Sequence, residues 1–311
     1  MNIFYVLFSL SIMCPIYTYA LYPMLLKVMK RKNYEVAKIN PTVTVVITGE
    51  NTEAKLRNIN QCEYKKLKVI EGGYDCINKA DGEIVIFTDT KTHLDLTAIR
   101  NIVQPFADGR IGCVVGQQIN SESNSVFWKY ENLIKKLESR IGCVSGATES
   151  LFAVRKSDIP LIEEKVLNKS FYIVTKITEN GKDVVFEPRA KAYEGKSEGT
   201  NFIKHVQDAA GYWQALKLFP KMFLFNHGSF VYVSHRVMKW FVWLNMLTIF
   251  LISAALSDSS KLMSGLFWMQ LIGYAVILFL GRRDIDGIFG KLVNIGYYFV
   301  TLNTAYFIGM F

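Results

Sequence analysis

The residue types best suited to chemistry lie in one stretch, Asp81 to Asp95, which reads Asp-Gly-Glu-Ile-Val-Ile-Phe-Thr-Asp-Thr-Lys-Thr-His-Leu-Asp. Glu83 to Thr88 is a short, mostly apolar run with β-branched residues, bounded by Asp81-Gly82 and by polar residues. It predicts a buried strand of an α/β sheet. Asp89 then falls just beyond the carboxyl end of that strand, where ligands of open α/β sheets bind. A strand-end aspartate also caps turns, so Asp89 has a structural reading beside the functional one. His93 reads as a local hydrogen-bonding residue rather than a ligand. The five cysteines (Cys14, Cys62, Cys76, Cys113, Cys143) are an odd count without Cys-x-x-Cys spacing. They read as free thiols in a reducing compartment.

The elements that must position Asp89 are legible on both sides of it. Pro41 to Gly49 predicts a strand ending in a glycine turn, followed by a helix over Asn51–Gln61 capped at Asn51 or Thr52. Leu67 to Ile70 predicts a second short strand ending at Glu71-Gly72-Gly73. Strand, helix and strand in this order open a βαβ unit, and Glu83–Thr88 adds a third strand. Ala98–Phe106 reads as helix and Gly112–Gly116 as strand. Ser125–Arg140 is amphipathic, with Val126, Tyr130, Leu133 and Leu137 at helical spacing, a stripe that reads as core packing. Leu151–Val154 reads as strand, Phe171–Asn180 as a helix stopped by Gly181, and Val184–Pro188 as a last strand at a sheet edge.

The chain is 50% hydrophobic, with the apolar residues concentrated at its two ends. Ile3 to Leu26 carries no charge and is long enough to cross a bilayer, which takes about 20 residues. It has no basic n-region, so it reads as an anchor rather than a signal peptide. Lys27, Lys30, Arg31, Lys32 and Lys38 follow at once and predict a cytoplasmic middle domain with the amino terminus outside. Phe202–Phe219 reads as a helix, and Met222–Lys239 as an interfacial one. Three further spans are expected at Trp240–Leu256, Met263–Leu280 and Leu292–Phe311. The loop carrying Arg282, Arg283 and Lys291 places the carboxyl terminus outside as well. The expected division is an N-terminal span (1–26), a globular domain (27–221), an interfacial helix (222–239) and a helical end (240–311). The net charge of +9 fits basic flanks at a membrane surface. No motif for nucleic acid accompanies it.

From Ile16 to about Leu244 the chain resembles membrane-anchored family 2 glycosyltransferases of the bacterial polysaccharide-synthase-like kind. The landmarks run in order: Tyr-Thr-Tyr-Ala-Leu-Tyr-Pro (17–23), the strand at Val43–Gly49 and Phe-Thr-Asp-Thr-Lys-Thr (87–92). Trp-Lys-Tyr-Glu (128–131), Leu-Glu-Ser-Arg-Ile-Gly (137–142) and Gly-Ala-Thr-Glu-Ser-Leu-Phe-Ala-Val-Arg-Lys (146–156) come next. Val-Phe-Glu-Pro-Arg-Ala (185–190) and Ala-Ala-Gly-Tyr-Trp-Gln-Ala-Leu (209–216) close the series. The resemblance implies a GT-A fold: a mixed α/β sheet flanked by helices, with one N-terminal and three C-terminal transmembrane helices. It implies inverting transfer from a nucleotide-diphosphate sugar to a glycan or lipid-linked acceptor in an inner or plasma membrane. It also implies nucleotide-sugar contacts at Thr48, Gly49, Glu50, Glu71, Asp89 and Lys91, and acceptor-side positions at Gly146, Ala147, Trp213 and Gln214.

Such transfer needs charge neutralised on the leaving diphosphate, normally by Mg2+ or Mn2+, and a carboxylate to take the acceptor proton. The chain departs from the family at both needs. Asp89 keeps the first metal-side acid, but Lys91 stands at the second. The acidic pair that supplies the base falls on Lys169 and Ser170. Segments around Asp75–Asn78 and before Ala209 depart from the family as well, and the Gln-x-x-Arg-Trp signature is missing. Two readings follow. An active, atypical enzyme would use Lys91 as a point charge, worth roughly 4 kcal/mol at about 4 Å before desolvation. Its base would be Glu149, Glu163 or Glu164. A non-catalytic relative would instead bind nucleotide or glycan, or support an active glycosyltransferase subunit. A transporter is the outlying reading, because Asn245, Thr248 and Gln270 act most simply as helix–helix glue.

Overall fold

The computed structural model describes residues 3–35, 37–119, 126–195, 202–224, 227–281, 283, 285 and 287–311. Ser125 of the expected amphipathic helix and Arg282 of the expected basic loop lie outside the described residues. The chain divides into two compact units. One comprises Leu26–Thr200 and Ala215–Tyr232; the other Met1–Leu25, Asn201–Gln214 and Val233–Phe311.

The first unit is built on a seven-stranded mixed sheet in the order β2-β1-β3-β6-β5-β7-β4. Its strands are β1 (Val43–Thr48), β2 (Leu67–Glu71), β3 (Ile84–Asp89), β4 (Thr92–Leu94), β5 (Ile111–Ile119), β6 (Phe152–Arg155) and β7 (Asp183–Glu194). β1 pairs in parallel with both β2 and β3, and β6 runs antiparallel between β3 and β5. Val43, Val45 and Ile47 face one core with Ile84 and Ile86, against Ile59 of α3 (Glu53–Gln61) and Ile99 and Ile102 of α4 (Ala98–Val103). Val46, Val85 and Phe87 face the other, with Phe152, against Ile173 and Ile177 of α6 (Lys169–Glu179). Apolar residues on both faces explain why these strands read as continuous rather than alternating runs. α5 (Val126–Ser139) is the expected amphipathic helix.

Two elements differ from expectation. β7 is longer than expected, running on to Glu194, and β4 pairs with it only at Ala192–Glu194; further back it pairs with β5 alone, which leaves an edge position for Pro188. It sits where the β5–β7 register shifts, from Gly116↔Glu187 to Gln117↔Lys191, and a bulge there leaves no ladder bond for the missing N–H to make. β4 was not expected at all, being only three residues long.

The basic stretch after the first apolar helix is stapled to the sheet unit. The Lys32 N–H donates to the Arg140 carbonyl at 2.8 Å, and its Nζ donates to Asp183 Oδ1 at 2.6 Å. Tyr34 Oη donates to Asp183 Oδ2 at 3.3 Å. The Glu35 N–H donates to Asp108 Oδ2 at 3.0 Å, and Gln104 bonds both the N–H and the carbonyl of Ile39. Hydrogen bonds from Arg110 hold the Asp108 carboxyl well below the usual carboxylate range. Gly142, at φ +75°, makes room here, since a Cβ would lie 2.4 Å from Tyr34 Oη and 2.8 Å from Asp183 Cγ.

In the second unit, α1 (Ile3–Ile16) and α2 (Tyr22–Val28) are joined by a π turn, Tyr17–Leu21, just after Pro15 removes a helical donor. α7 (Phe202–Leu218), α10 (Val242–Ala255), α11 (Lys261–Leu280) and α12 (Gly287–Ile308) complete it. The stretch Met222–Lys239, expected as one helix, is broken into a 3-10 turn (Pro220–Phe223), α8 (His227–Val231), a π turn (Tyr232–Val237) and α9 (Met238–Trp240). Among the described residues, Ile3–Val28 and Lys261–Leu280 are long and apolar enough to cross a membrane. A pair bent by 49°, Gly228–Trp240 with Val242–Ala255, adds a third candidate. The segment expected as a span at Leu292–Phe311 is helical but does not join them. Asn294, Thr301, Asn303, Thr304 and its tyrosines lower its mean hydropathy. The polar groups of these helices find partners: Gln270 Nε2 of α11 donates across to Ser253 Oγ of α10 at 3.1 Å, whereas Asn245 and Thr248 donate one turn back, to the Phe241 and Leu244 carbonyls.

Replacing Asp183 by alanine leaves Lys32 and Tyr34 without their shared, nearly buried acceptor. Loss of such a partner costs about 2–4 kcal/mol, and the basic stretch should detach. Limited trypsin digestion of the full chain should then cut faster at Lys30, Arg31 and Lys32 than in wild type.

Candidate functional site

Parallel pairing of β1 and β3 in the register Thr48↔Asp89 brings their last residues side by side. The Thr90 N–H continues the ladder to the Thr48 carbonyl at 3.1 Å. Beyond Thr48 the chain turns through Gly49 at φ +104°, where a Cβ would stand 2.7 Å from Thr90 Oγ1. Glu50 follows exposed, and Asn51 takes the left-handed conformation at φ 58°. Thr52 occupies the N-cap of α3, but its hydroxyl is turned to the carboxylate of Glu71 at the end of β2. Glu71, expected at the nucleotide base, therefore ties the β1 and β2 turns together.

Asp89 is half-buried and is held from inside the protein. Thr92 Oγ1 donates to Asp89 Oδ1 at 2.8 Å. Lys55 of α3, 2% exposed, donates its Nζ to the Thr92 carbonyl at 2.7 Å and to Thr92 Oγ1 at 3.1 Å. Burial pulls the Lys55 ammonium down to about 8, against the opposing attraction of Asp89. The ammonium that reaches Asp89 is thus one that sequence reasoning passed over. Lys91, which was expected there, stands exposed in the β3–β4 turn. An α3 lysine on the apolar side of a helix ending against the sheet was the available signal. His93 is exposed, its Nε2 3.1 Å from Asn58 Nδ2, as a local hydrogen-bonding residue should be.

A second cluster surrounds Tyr74, in the 3-10 segment Gly73–Lys79 that follows β2. Its ring stacks on Phe87 at 5.2 Å, and Phe87 stacks on Phe152 at 4.8 Å. Lys169 Nζ lies 5.6 Å from the Tyr74 ring centroid and 3.5 Å from Asp75 Oδ1. Burial, then the charges of Glu149 and Asp89, push the Tyr74 hydroxyl well above its ordinary value. Lys169 therefore packs over a tyrosine that was not foreseen, and the charges of Asp89 and Glu149, expected from separate stretches, act on its hydroxyl. Ser170 is 3% exposed in the first turn of α6, where its Oγ donates to the N-cap Asn168 Oδ1 at 3.1 Å. That helix starts at Lys169, two residues earlier than expected, because Asn168 caps it through the Phe171 N–H.

The remaining candidates are dispersed. Glu163 is exposed and paired with Lys165 at 2.6 Å, and Glu164 is exposed beside it. Gly146 is buried, and Ala147 packs on the core that contains Phe87. Trp213 and Gln214 belong to the helical unit, where Trp213 Nε1 donates to the Tyr306 carbonyl at 2.8 Å and its ring meets Phe241 edge-on. A groove of about 710 Å³ bordered by Lys38, Tyr64, Lys65, Arg100 and Arg189 lies toward the amino ends of β1 and β2, opposite Asp89.

The donor set at Asp89 does not suit a resident divalent cation. Mg2+ and Mn2+ favour several oxygen ligands, with carboxylates foremost. Here one carboxylate faces inward to a threonine hydroxyl and a buried ammonium, and Lys91 stands where a second oxygen ligand was needed. Among the described residues no three His, Cys, Asp or Glu side chains cluster to hold a metal.

No protein-family profile matches the chain. A comparison with curated proteins finds no similar sequence. Solved structures are similar. Mannosyltransferase PcManGT from Pyrobaculum calidifontis, in complex with GDP-Man and Mn2+, matches at 16% identity over 97% of this chain and 99% of that one, with a TM-score of 0.67. TarS residues 1–349 from S. aureus, in complex with UDP-GlcNAc, match at 12% identity over 86% and 90% of the two chains, with a TM-score of 0.42. Glucosyl-3-phosphoglycerate synthase from Mycobacterium tuberculosis matches at 12% identity over 57% and 79%, with a TM-score of 0.41. The similarity to PcManGT shows that the two chains share a GT-A-type fold.

The Lys55 pKa has a consequence for stability. Its folded value lies below the value of about 10.5 expected when unfolded, so between the two the unfolded chain binds more protons. Stability contributed at this position must then rise as pH increases from about 8, by at most about 1.4 kcal/mol per pH unit. The difference in unfolding free energy between wild type and Lys55→Met, measured from pH 7 to 9.5, should show that slope.

Proposed function

We propose that this chain is a membrane-bound glycosyltransferase of the family 2 type. In this reading it takes a nucleotide-diphosphate sugar at the carboxyl ends of β1 and β3 and transfers the sugar, with inversion, to a glycan or lipid-linked acceptor. The observation that carries the reading is the pairing of Thr48 with Asp89 at the carboxyl ends of β1 and β3, with the Tyr74–Phe87 stack and Lys169 beside it. The solved glycosyltransferase whose fold it shares, over nearly the full length of both chains, supports it. The apolar helices and the lysine-rich stretch after the first of them support an inner or plasma membrane location, with the sheet unit cytoplasmic and the amino terminus outside.

Inverting transfer requires the acceptor oxygen to attack the anomeric carbon while the diphosphate leaves and a base takes the acceptor proton. Among the carboxylates considered, Glu149 is the best candidate, since its charge acts on the Tyr74 hydroxyl together with that of Asp89. Glu163 is engaged by Lys165 on the surface. Lys169, over Tyr74 and beside Asp75, offers positive charge on the same side as Asp89.

A second reading is favoured by Ser170. At the place expected for the base, its hydroxyl is buried and committed to Asn168. In that reading the chain binds nucleotide sugar or glycan without turnover and supports an active synthase subunit.

Calorimetric titration of the purified full chain in detergent with UDP- and GDP-sugars, beside a hydrolysis and transfer assay, tests both readings. The enzyme reading predicts turnover that falls about 100-fold or more in Glu149→Gln, with donor affinity changed less than threefold. Donor binding with no turnover in any combination would favour the second reading, and absence of donor binding would remove the enzyme reading and leave the second only in its glycan-binding form.

A further inference from the structure

The misfit between Asp89 and a divalent cation has a positive counterpart in the residues beneath it. Lys55 Nζ donates to Thr92 Oγ1, which can then spend its single proton only as a donor, to Asp89 Oδ1. The Ser150 carbonyl, 3.3 Å from Thr92 Oγ1, is already served by Thr88 Oγ1 at 2.8 Å. The chain of bonds therefore has a direction, from ammonium through hydroxyl to carboxylate. Lys55 is 2% exposed, and among the described residues Asp89 is the carboxylate that acts on it most strongly. A fully buried lysine side chain is costly unless paired, and Asp89 is the charge that pairs it.

We propose that Lys55 is the resident counter-charge of Asp89, a positioning residue that orients the carboxylate through Thr92 and takes the electrostatic place of a divalent cation. Asp89 is then an acceptor for donor-sugar or ribose hydroxyls rather than a metal ligand. The site receives its nucleotide sugar independently of metal. This rests on the donor-binding reading above for its ligand, but the charge assignment stands on the bonds themselves.

The test uses the full chain in detergent and Mn2+ alone as probe, followed by electron paramagnetic resonance. Wild type should show no Mn2+ site tighter than about 1 mM. Lys55→Met, which keeps length and burial, should uncover a site at least about tenfold tighter by removing the competing positive charge. Asp89→Asn added to Lys55→Met should erase it, and Lys55→Arg should behave as wild type. A structural role for Lys55 alone would not create metal affinity. Micromolar Mn2+ binding in wild type that Asp89→Asn abolishes would overturn the proposal, as would unchanged Mn2+ affinity in a folded Lys55→Met chain. Donor titrations with and without EDTA form the second arm, expected to agree within about twofold. Donor binding that EDTA abolishes would refute metal independence while upholding the functional reading. A chain that binds no donor, yet gains Mn2+ on Lys55→Met, would sink the functional reading and keep the charge assignment.

Discussion

An ammonium group sealed beneath the edge of a sheet has to be met by negative charge, and that requirement organises this site. Lys55 reaches it through Thr92 to Asp89, so the last residue of β3, the first residue of β4 and the first turn of α3 are locked into one arrangement. Three-residue β4, paired with β7, holds that hydroxyl in place: its first residue joins the two charges. It also fixes the orientation of Asp89 before any ligand arrives, which is the preorganisation a binding site needs.

The opposite side of the site is organised by aromatic packing. Tyr74, Phe87 and Phe152 stack in sequence from the segment after β2 to β3 and β6, and Lys169 closes the stack from α6. Lys169 therefore brings positive charge over the tyrosine, while the Lys55 ammonium is enclosed beneath Thr92. Under the proposed function, Lys169 would offer a leaving diphosphate an ammonium where related chemistry relies on a metal, and Lys55 would answer the charge of Asp89. A buried ammonium supplies charge without needing several oxygen ligands, but it cannot be exchanged or removed.

Away from the site, several motif residues prove to be fixed by packing. Gly142 admits Tyr34 and Asp183 to the same space, and Pro188 occupies a register shift. At the site, Gly49 is required by its positive φ and by Thr90. These residues report the architecture, whereas Asp89, Glu149 and Lys169 report what the architecture surrounds.

The strands β1, β2, β3 and β6, the helices α5 and α6 and the apolar first helix were legible in the sequence, because each depends on a local period of apolar residues or a local stop. The place of Asp89 at a strand's carboxyl end was legible for the same reason. Tyr74, Lys55 and β4 were not, since each acquires its role from residues distant in sequence: Phe87 and Lys169 for the tyrosine, Thr92 for the lysine, β7 for the strand. Lys55 was not legible as the partner of Asp89, because local spacing says only which residues are close along the chain. Burial says which charge must be answered, and burial is decided when α3 folds onto the sheet.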